Sequence, residues 1–221
     1  MIPAHKITGV ILAGGKSTRM GTDKALLALN GKPFIQHVAE AFQNVFTKVV
    51  ISANTAAYDF LLLPVLRDVY PDCGPLGGIH SALMTTAAEA VFFCSCDTPF
   101  MNSSVIRFVV NRPLPDQVTL VLGGNCLQPL CGVYKRGCLP VIEKQLKRRE
   151  YSVQHFIAKL STTILSYPPE NLETGVNPLM NINTPIDYEQ CVQISREMKR
   201  TRDIIPKHAK GATGYGYELN Q

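Results

Sequence analysis

The segment Leu12-Ala13-Gly14-Gly15-Lys16-Ser17-Thr18-Arg19-Met20-Gly21-Thr22-Asp23-Lys24 gathers the group types needed to hold a polyphosphate. Gly14 and Gly15 leave their backbone amides uncovered at the end of an apolar run, and Arg19 and Lys24 follow within ten residues. Uncovered amides of this kind attract anions. A guanidinium clasps two phosphate oxygens at once, whereas an ammonium acts as a compact charge. Two common phosphate loops fail on spacing. A P-loop needs a glycine five positions before Gly15, where Val10 stands, and Gly9 misses by one. A dinucleotide fingerprint needs Gly-x-Gly-x-x-Gly, and Gly14-Gly15 followed only by Gly21 does not supply it. The loop is therefore expected to cradle phosphates in a way of its own.

These groups need elements that point them at one place. Ile7 to Ala13 reads as a buried strand running into the glycines. Phe34, Val38, Ala41, Phe42 and Val45 recur at helical spacing behind Pro33, which suits a first-turn position. Lys48 to Ser52 predicts a second strand, Thr55 to Leu62 a weaker helical stretch and Val65 to Arg67 a short third strand. The loop Asp72 to Gly78 opens a helix through Ile79, Leu83 and Ala87, and Ala90 to Ser95 is a fourth strand apolar enough for burial on both faces. Strands alternating with helices predict a parallel sheet covered on both sides. Beyond a helix at 102–111, two strand-like runs (118–122 and 130–134) joined by Gly123-Gly124-Asn125 predict an antiparallel excursion. Helices at 139–149 and 153–160, a strand at 163–166 and a helix from Pro185 to about Lys199 complete the body. The expected organisation is one domain over residues 1–200 and a basic, glycine-containing tail over 201–221, read as mobile.

Asp97 ends the fourth strand as an isolated acid after Phe93-Cys94-Ser95-Cys96. If the first three strands step one way and the fourth returns to the other side of the first, Asp97 and the glycine pair flank the same switch-point crevice. One carboxylate there is enough for magnesium, which keeps several waters and completes its shell with substrate phosphates.

Composition removes other classes. With 221 residues, 46% hydrophobic and 18% charged, the chain has material for a sizeable core and is not disordered throughout. It carries no apolar run of bilayer-spanning length and no secretory leader, so no membrane role is expected. Seven cysteines without a Cys-x-x-Cys pair argue against a disulfide framework or structural zinc and for a reducing cytoplasm. The net charge of +5 is concentrated at the end, where six basic residues face three acidic ones between Arg196 and Gln221. The body is near neutral, and no nucleic-acid partner is expected.

The signature Leu-Ala-Gly-Gly-x-x-x-Arg-Met-Gly-x-Asp-Lys resembles, at every fixed position, the loop of the molybdenum cofactor guanylyltransferases within the α/β nucleotidyltransferase superfamily. The resemblance continues through Asn30-Gly31-Lys32-Pro33, Gly74-Pro75-Leu76-Gly77-Gly78, Cys96-Asp97-Thr98-Pro99 and Asn181-Ile182-Asn183-Thr184-Pro185, so it covers roughly residues 7 to 195. It implies a three-layer, Rossmann-like α/β fold of the nucleotide-diphospho-sugar-transferase kind, with an open, mostly parallel sheet and an antiparallel excursion. It also implies transfer of GMP from GTP to the terminal phosphate of a molybdopterin-type cofactor, with Mg2+ and release of pyrophosphate. Leu12, Ala13 and Gly14 would hold guanine and ribose, with Gly15 in the same loop, while Arg19 and Lys24 contact the triphosphate. Asp68 matches a nucleotide-contacting position, Asp97 the magnesium ligand, and Asn181 with Asn183 part of the pterin site. An acceptor molybdoenzyme or its chaperone is a further expected partner.

Two positions depart from the family: Gln128 stands where many relatives carry histidine before the proline, and Ser52 where an asparagine is often found. Cytidylyl relatives resemble Leu-Ala-Ala-Gly ending in Asn-Lys, so Gly14-Gly15 with Asp23 favours guanine. A carrier that binds nucleotide or cofactor without chemistry is the rival of another class, opposed by the joint presence of Arg19, Lys24 and Asp97. The remaining reactive types read as structural. His37 belongs to a helix edge, and His5, His80, His155 and His208 lack metal-ligand spacing. Cys94 and Cys96 are expected as buried small hydrophobes, and Lys147-Arg148-Arg149 as a solvated helix end.

Overall fold

The computed structural model describes residues 2–14, 23–123, 126–168 and 176–204. In chain order these form β1 (Ile7–Leu12), a small hairpin of β2 (Ala28–Leu29) and β3 (Lys32–Pro33), α1 (Phe34–Gln43), β4 (Val49–Ser52) and β5 (Val65–Leu66). Then come α2 (Pro75–Thr85), β6 (Ala90–Ser95), α3 (Ser103–Val110), β7 (Val118–Gly123) and β8 (Cys126–Lys135). The chain continues through α4 (Leu139–Lys147), α5 (Val153–Ile157), β9 (Thr162–Ser166) and α6 (Pro185–Ile204).

Seven strands make one sheet in the order β5-β4-β1-β6-β8-β7-β9. Strands β5, β4, β1 and β6 run parallel, β8 runs against both β6 and β7, and β9 lies parallel to β7. The anticipated reversal of strand order is therefore present, with β4 on one side of β1 and β6 on the other. The period-two alternation of β1 sorts its side chains into two cores. Ile7 and Ile11 join Phe42, Val105 and Phe92 beneath α1 and α3, while Val10 and Leu12 join Leu76, Ile79 and Ile142 beneath α2 and α4. This is the three-layer α/β arrangement expected from the sequence. Gly9 belongs to the first core because a Cβ there would lie 2.5 Å from the Phe46 ring and 2.6 Å from that of Phe42.

The β2–β3 turn is Asn30-Gly31, both with positive φ (53° and 81°), as a two-residue type I′ hairpin requires. Leu29 and Phe34 beside it pack with Ile182 and Cys191, which seats α6 against the hairpin. Pro33 closes β3 and precedes α1 as its cap instead of entering the first turn. The expected helical stretch at 55–62 reduces to a single 3-10 turn, Asp59–Leu61, none of whose residues is buried. Leu62 ends it in the left-handed region, and within 55–62 Tyr58 and, in part, Leu61 pack on the core, too little to sustain a longer helix. Gly77 and Gly78, expected in a loop, lie inside α2, which ends at Thr85 before Ala87. The helix after Pro185 extends to Ile204, and the expected tail beyond it lies outside the described residues, as do Gly15 and Arg19 of the signature loop.

Candidate active site

The carboxyl ends of three neighbouring strands converge, with Leu12 of β1 paired to Ser52 of β4 and to Ser95 of β6. Ala13 N donates to Ser52 O (2.9 Å), Ala53 N to Leu66 O (2.9 Å) and Cys96 N to Leu12 O (3.1 Å). The residues just past each strand, Gly14, Asn54, Asp68 and Asp97, are thereby held along one edge of the sheet.

Two cavities open on this edge. The first, of about 500 Å³, is lined by Leu12, Ala13 and Gly14 on one side and by Ser52, Asn54, Asp68 and Gly78 on another. Its walls are mainly backbone and small side chains. Gly78 keeps it open and α2 close: a Cβ there would lie 2.8 Å from Ser52 Oγ and 3.0 Å from a Leu12 methyl. Asn54 anchors Asp68 twice, accepting from its backbone N–H (2.9 Å) and donating to Oδ2 (3.0 Å). Asp68 Oδ1 is buried without a hydrogen-bond partner among the described residues. Burial pushes its carboxyl above the usual range, tempered by Asn54 and Ser52. Asp68 lines the chamber that Leu12, Ala13 and Gly14 also line, with one buried carboxylate oxygen left without a partner among the described residues.

The second cavity, of about 400 Å³, is lined by Ser95 and Asp97 after β6, Gln128 to Cys131 of β8, Ser152 to Gln154 at the start of α5, and Asn181 and Asn183. Pro75 lies between the two chambers and borders both. The turn after β6 is locked by Thr98, whose Oγ1 donates to Ser95 O (2.6 Å) and meets Cys94 Sγ at 3.2 Å. Asp97 O accepts from Ile182 N (2.9 Å), which brings Asn181 and Asn183 beside it although they lie more than eighty residues along the chain. That segment is stiffened by a capping box on α6. Asp187 Oδ2 accepts from Asn183 N and Thr184 N, both 2.8 Å, and Asp187 N donates to Thr184 Oγ1. These backbone donors hold the Asp187 carboxyl below its usual range.

Lys24 joins the chambers. Its Nζ donates to Asn183 Oδ1 at 2.7 Å, while the preceding residue, Asp23, lines the first cavity. Asp97 Oδ1 is buried with no hydrogen-bond partner among the described residues. Burial raises its carboxyl, opposed by Ser95, the Lys24 charge and its own backbone. An orphaned buried carboxylate oxygen within the field of the Lys24 ammonium fits a hard cation: magnesium takes oxygen ligands, and one protein carboxylate is enough when phosphates and water supply the rest. Among the described residues no three His, Cys, Asp or Glu side chains cluster as a metal cage.

The site therefore brings together Leu12, Ala13, Gly14 and Asp68 on one side and Lys24, Asp97, Asn181 and Asn183 on the other. Gln128, a departure from the family pattern, is buried in the second wall, where its Oε1 accepts from Asn181 Nδ2 at 2.9 Å. Ser52 lines the first chamber itself. Sequence alone did not single out Asn54, Tyr58, Ser152 or Gln154. Of these, Asn54, an amide side chain just past a strand end, had a visible signal. His37 bonds Leu29 O at 2.8 Å on the edge of α1, Cys94 is fully buried, and all seven cysteines are unpaired, in keeping with structural roles. No helix of the described residues is long and apolar enough to cross a membrane.

Comparison with known proteins agrees with this geometry. Residues 9–163 match the family described as MobA-like NTP transferase domain. A probable molybdenum cofactor guanylyltransferase of Carboxydothermus hydrogenoformans is 37% identical over 192 residues, spanning 86% of this chain and 97% of that protein. A crystal structure from Aquifex aeolicus VF5 is 32% identical with a TM-score of 0.69, covering 81% of this chain and 95% of that one. The molybdopterin-guanine dinucleotide biosynthesis protein A of Archaeoglobus fulgidus shares the fold at a TM-score of 0.74 and 18% identity, over 86% of this chain and all of that one. With the site geometry and these matches together, the chain belongs to the MobA-like NTP transferase family, on the branch of the molybdenum cofactor guanylyltransferases, and is a nucleotidyltransferase.

Proposed function

We propose that the protein transfers GMP from GTP to the phosphate of a molybdopterin-type cofactor, forming the guanine dinucleotide and pyrophosphate. The observation that carries this reading is a pair of chambers separated by Pro75: one walled by Leu12, Ala13, Gly14 and Asp68, the other by Asp97, Asn181, Asn183 and Gln128, with Lys24 bonded to Asn183 of the second. The first suits the nucleoside, since exposed backbone and the Asp68 carboxylate can pair with the hydrogen-bonding edge of a base. The second suits the acceptor, since its lining offers amides and hydroxyls together with apolar Pro129 and Leu130.

In the reaction an oxygen of the acceptor phosphate attacks the α-phosphorus of GTP. The bond from that phosphorus to the bridging oxygen breaks, and the electron pair leaves with pyrophosphate. The nucleophile is already ionised at neutral pH, so the protein's task is to align the reactants and neutralise charge. Lys24, tied to Asn183, stands where it can meet phosphate oxygens from either chamber. Arg19, from the same loop, supplies the second cation in this reading. Asp97 would hold Mg2+, which would supply Lewis-acid stabilisation of the phosphates. Asn181 and Asn183 orient the acceptor, and seven unpaired thiols suit a reducing cytoplasm.

The test is pyrophosphate release measured with each of the four nucleoside triphosphates, with Mg2+ and the pterin acceptor. Release with GTP in clear excess over CTP is expected. Release favouring CTP moves the protein to the cytidylyl branch, and none above background makes it a carrier.

A further inference from the structure

We propose that Tyr58 is a positioning residue for this reaction, holding Lys24 in place through the carboxylate of Asp23. The inference rests on the reading of Lys24 as a phosphate contact and goes beyond it to what fixes the ammonium. Tyr58 Oη donates to Asp23 Oδ2 at 2.7 Å, and the other oxygen, Oδ1, accepts from Ala25 N at 3.0 Å. Asp23 is thereby the cap of the single 3-10 turn Lys24–Leu26, whose own backbone bonds are Leu26 N to Asp23 O and Leu27 N to Lys24 O, at 3.1 and 3.2 Å. At the other end of the side chain, Lys24 Nζ reaches Asn183.

The turn that carries Lys24 sits between the signature loop and the β2–β3 hairpin, outside the seven-stranded sheet. Ala25 of the turn is buried in the core and Leu27 O accepts from Phe34 N, while the side-chain tie at its start is Tyr58, thirty-five residues further along, 2% exposed and packed in the same core. Burial and the Asp23 carboxylate push the phenol far above its usual range, so it remains a donor at any pH at which the protein works. A carboxylate with one oxygen on the backbone of a turn and the other on a buried phenol fixes where that turn begins. Because Asp23 is bonded covalently to Lys24, the tie also fixes the root of the lysine. Catalysis by a preorganised charge is sensitive to such placement, since a shift of about 1 Å costs on the order of a hundredfold in favourable cases.

Tyr58 also lines the nucleoside chamber, so a direct contact with the nucleotide is the competing role. Steady-state kinetics of pyrophosphate release distinguish the two in the full chain. Tyr58→Phe, which keeps the ring, is expected to lower kcat about tenfold while KM for GTP stays within about threefold of wild type. Asp23→Ala, which removes the acceptor of the phenol together with the turn cap, is expected to fall at least as far. In a Lys24→Ala background, Tyr58→Phe should add almost nothing, because the group it positions is gone. Unchanged kcat in Tyr58→Phe, a loss expressed wholly in KM for GTP, or the same fold-loss with and without Lys24 would each overturn the proposal. A crystal structure of Tyr58→Phe reads the positioning without turnover. Lys24 Nζ is expected beyond hydrogen-bond distance of Asn183, and an unmoved Lys24 refutes the role. If the wild-type protein releases no pyrophosphate, the functional reading fails, and that structure still decides the positioning claim.

Discussion

The two chambers on either side of Pro75 are built by different means. The side proposed for the nucleoside takes about half of its lining from residues at or just beyond the ends of parallel strands: Leu12, Ala13 and Gly14 at β1, Ser52 and Asn54 at β4, Asp68 after β5. Its chemistry is backbone and small polar groups, and Gly78 is there because a side chain would collide with Ser52 and Leu12. The acceptor side is assembled from β8, the start of α5 and the segment 181–183, and its polar lining consists largely of side chains that hold one another, as Gln128 holds Asn181. A wall of backbone is fixed by the sheet, whereas a wall of paired side chains can change partner with one substitution. The nucleotide end should accordingly tolerate little variation, and the acceptor end is where specificity can be adjusted.

The largest expected effect falls at the proposed metal ligand. Asp97→Asn keeps the volume but removes the ionised oxygen, and turnover should drop by about 10³-fold, comparable to losing a preorganised electrostatic contact at the reacting centre. Because burial raises the Asp97 carboxyl, its charge opposes folding at neutral pH, so the same variant should melt no lower than wild type. Activity and thermal denaturation measured together check both halves. A large drop in Tm would instead make Asp97 a structural residue.

Next in size, Lys24→Ala should lower turnover about 10²-fold. A value within about threefold of wild type removes Lys24 from the machinery.

Two smaller changes sharpen the contrast itself. Gly78→Ala crowds Ser52 and should raise KM for GTP about five- to tenfold, leaving KM for the acceptor unchanged. Gln128→Ala removes the partner of Asn181 and should raise KM for the acceptor by a similar factor, about 1 kcal/mol, with GTP unaffected. Competitive kinetics against each substrate separate them, and crossed effects would mean that the chambers are one site.

The smallest effect lies behind the site. His80 on α2 is buried against Tyr70, and its Nε2 stands 3.8 Å from Glu143. Burial lowers its pKa, with Glu143 partly offsetting it. For a base depressed in the folded state, the unfolded chain binds more protons as pH falls below about 6.5, so stability is full above that value and declines on acidification. Tm followed from pH 7.5 to 5.5, in the wild type and in His80→Gln, should show a steeper decline in the wild type.

The same contrast explains how far the sequence could be read. The β1, β4 and β6 strands announce themselves through short β-branched and aromatic runs, and the residues just past each, Gly14 and Asp97 among them, follow from where a parallel strand must end. Thr184-Pro185-Ile186-Asp187 likewise spells a helix start, with a cap, a first-turn proline and a carboxylate three residues on. The stretch at 55–62 misled because it buries little besides Tyr58 and part of Leu61, and local propensity alone cannot sustain a turn beyond the 3-10 segment. Tyr58 had no signal at all. An aromatic in a loop reads as core or surface until the fold brings Asp23 against it. Nor could Gln128 be assigned, since its partner lies fifty-three residues away and only the pairing of β8 with β6 makes them neighbours.

The proposed mechanism centres on a divalent ion that Asp97 would hold between nucleotide and acceptor. Crystals grown with a non-hydrolysable GTP analogue and Mn2+ test it through the anomalous signal of the metal. A peak about 2.1 to 2.2 Å from an Asp97 oxygen is expected, with guanine lying against Ala13 and Asp68. A metal held away from Asp97, or a base lodged against Gln128 and Asn181, would contradict it.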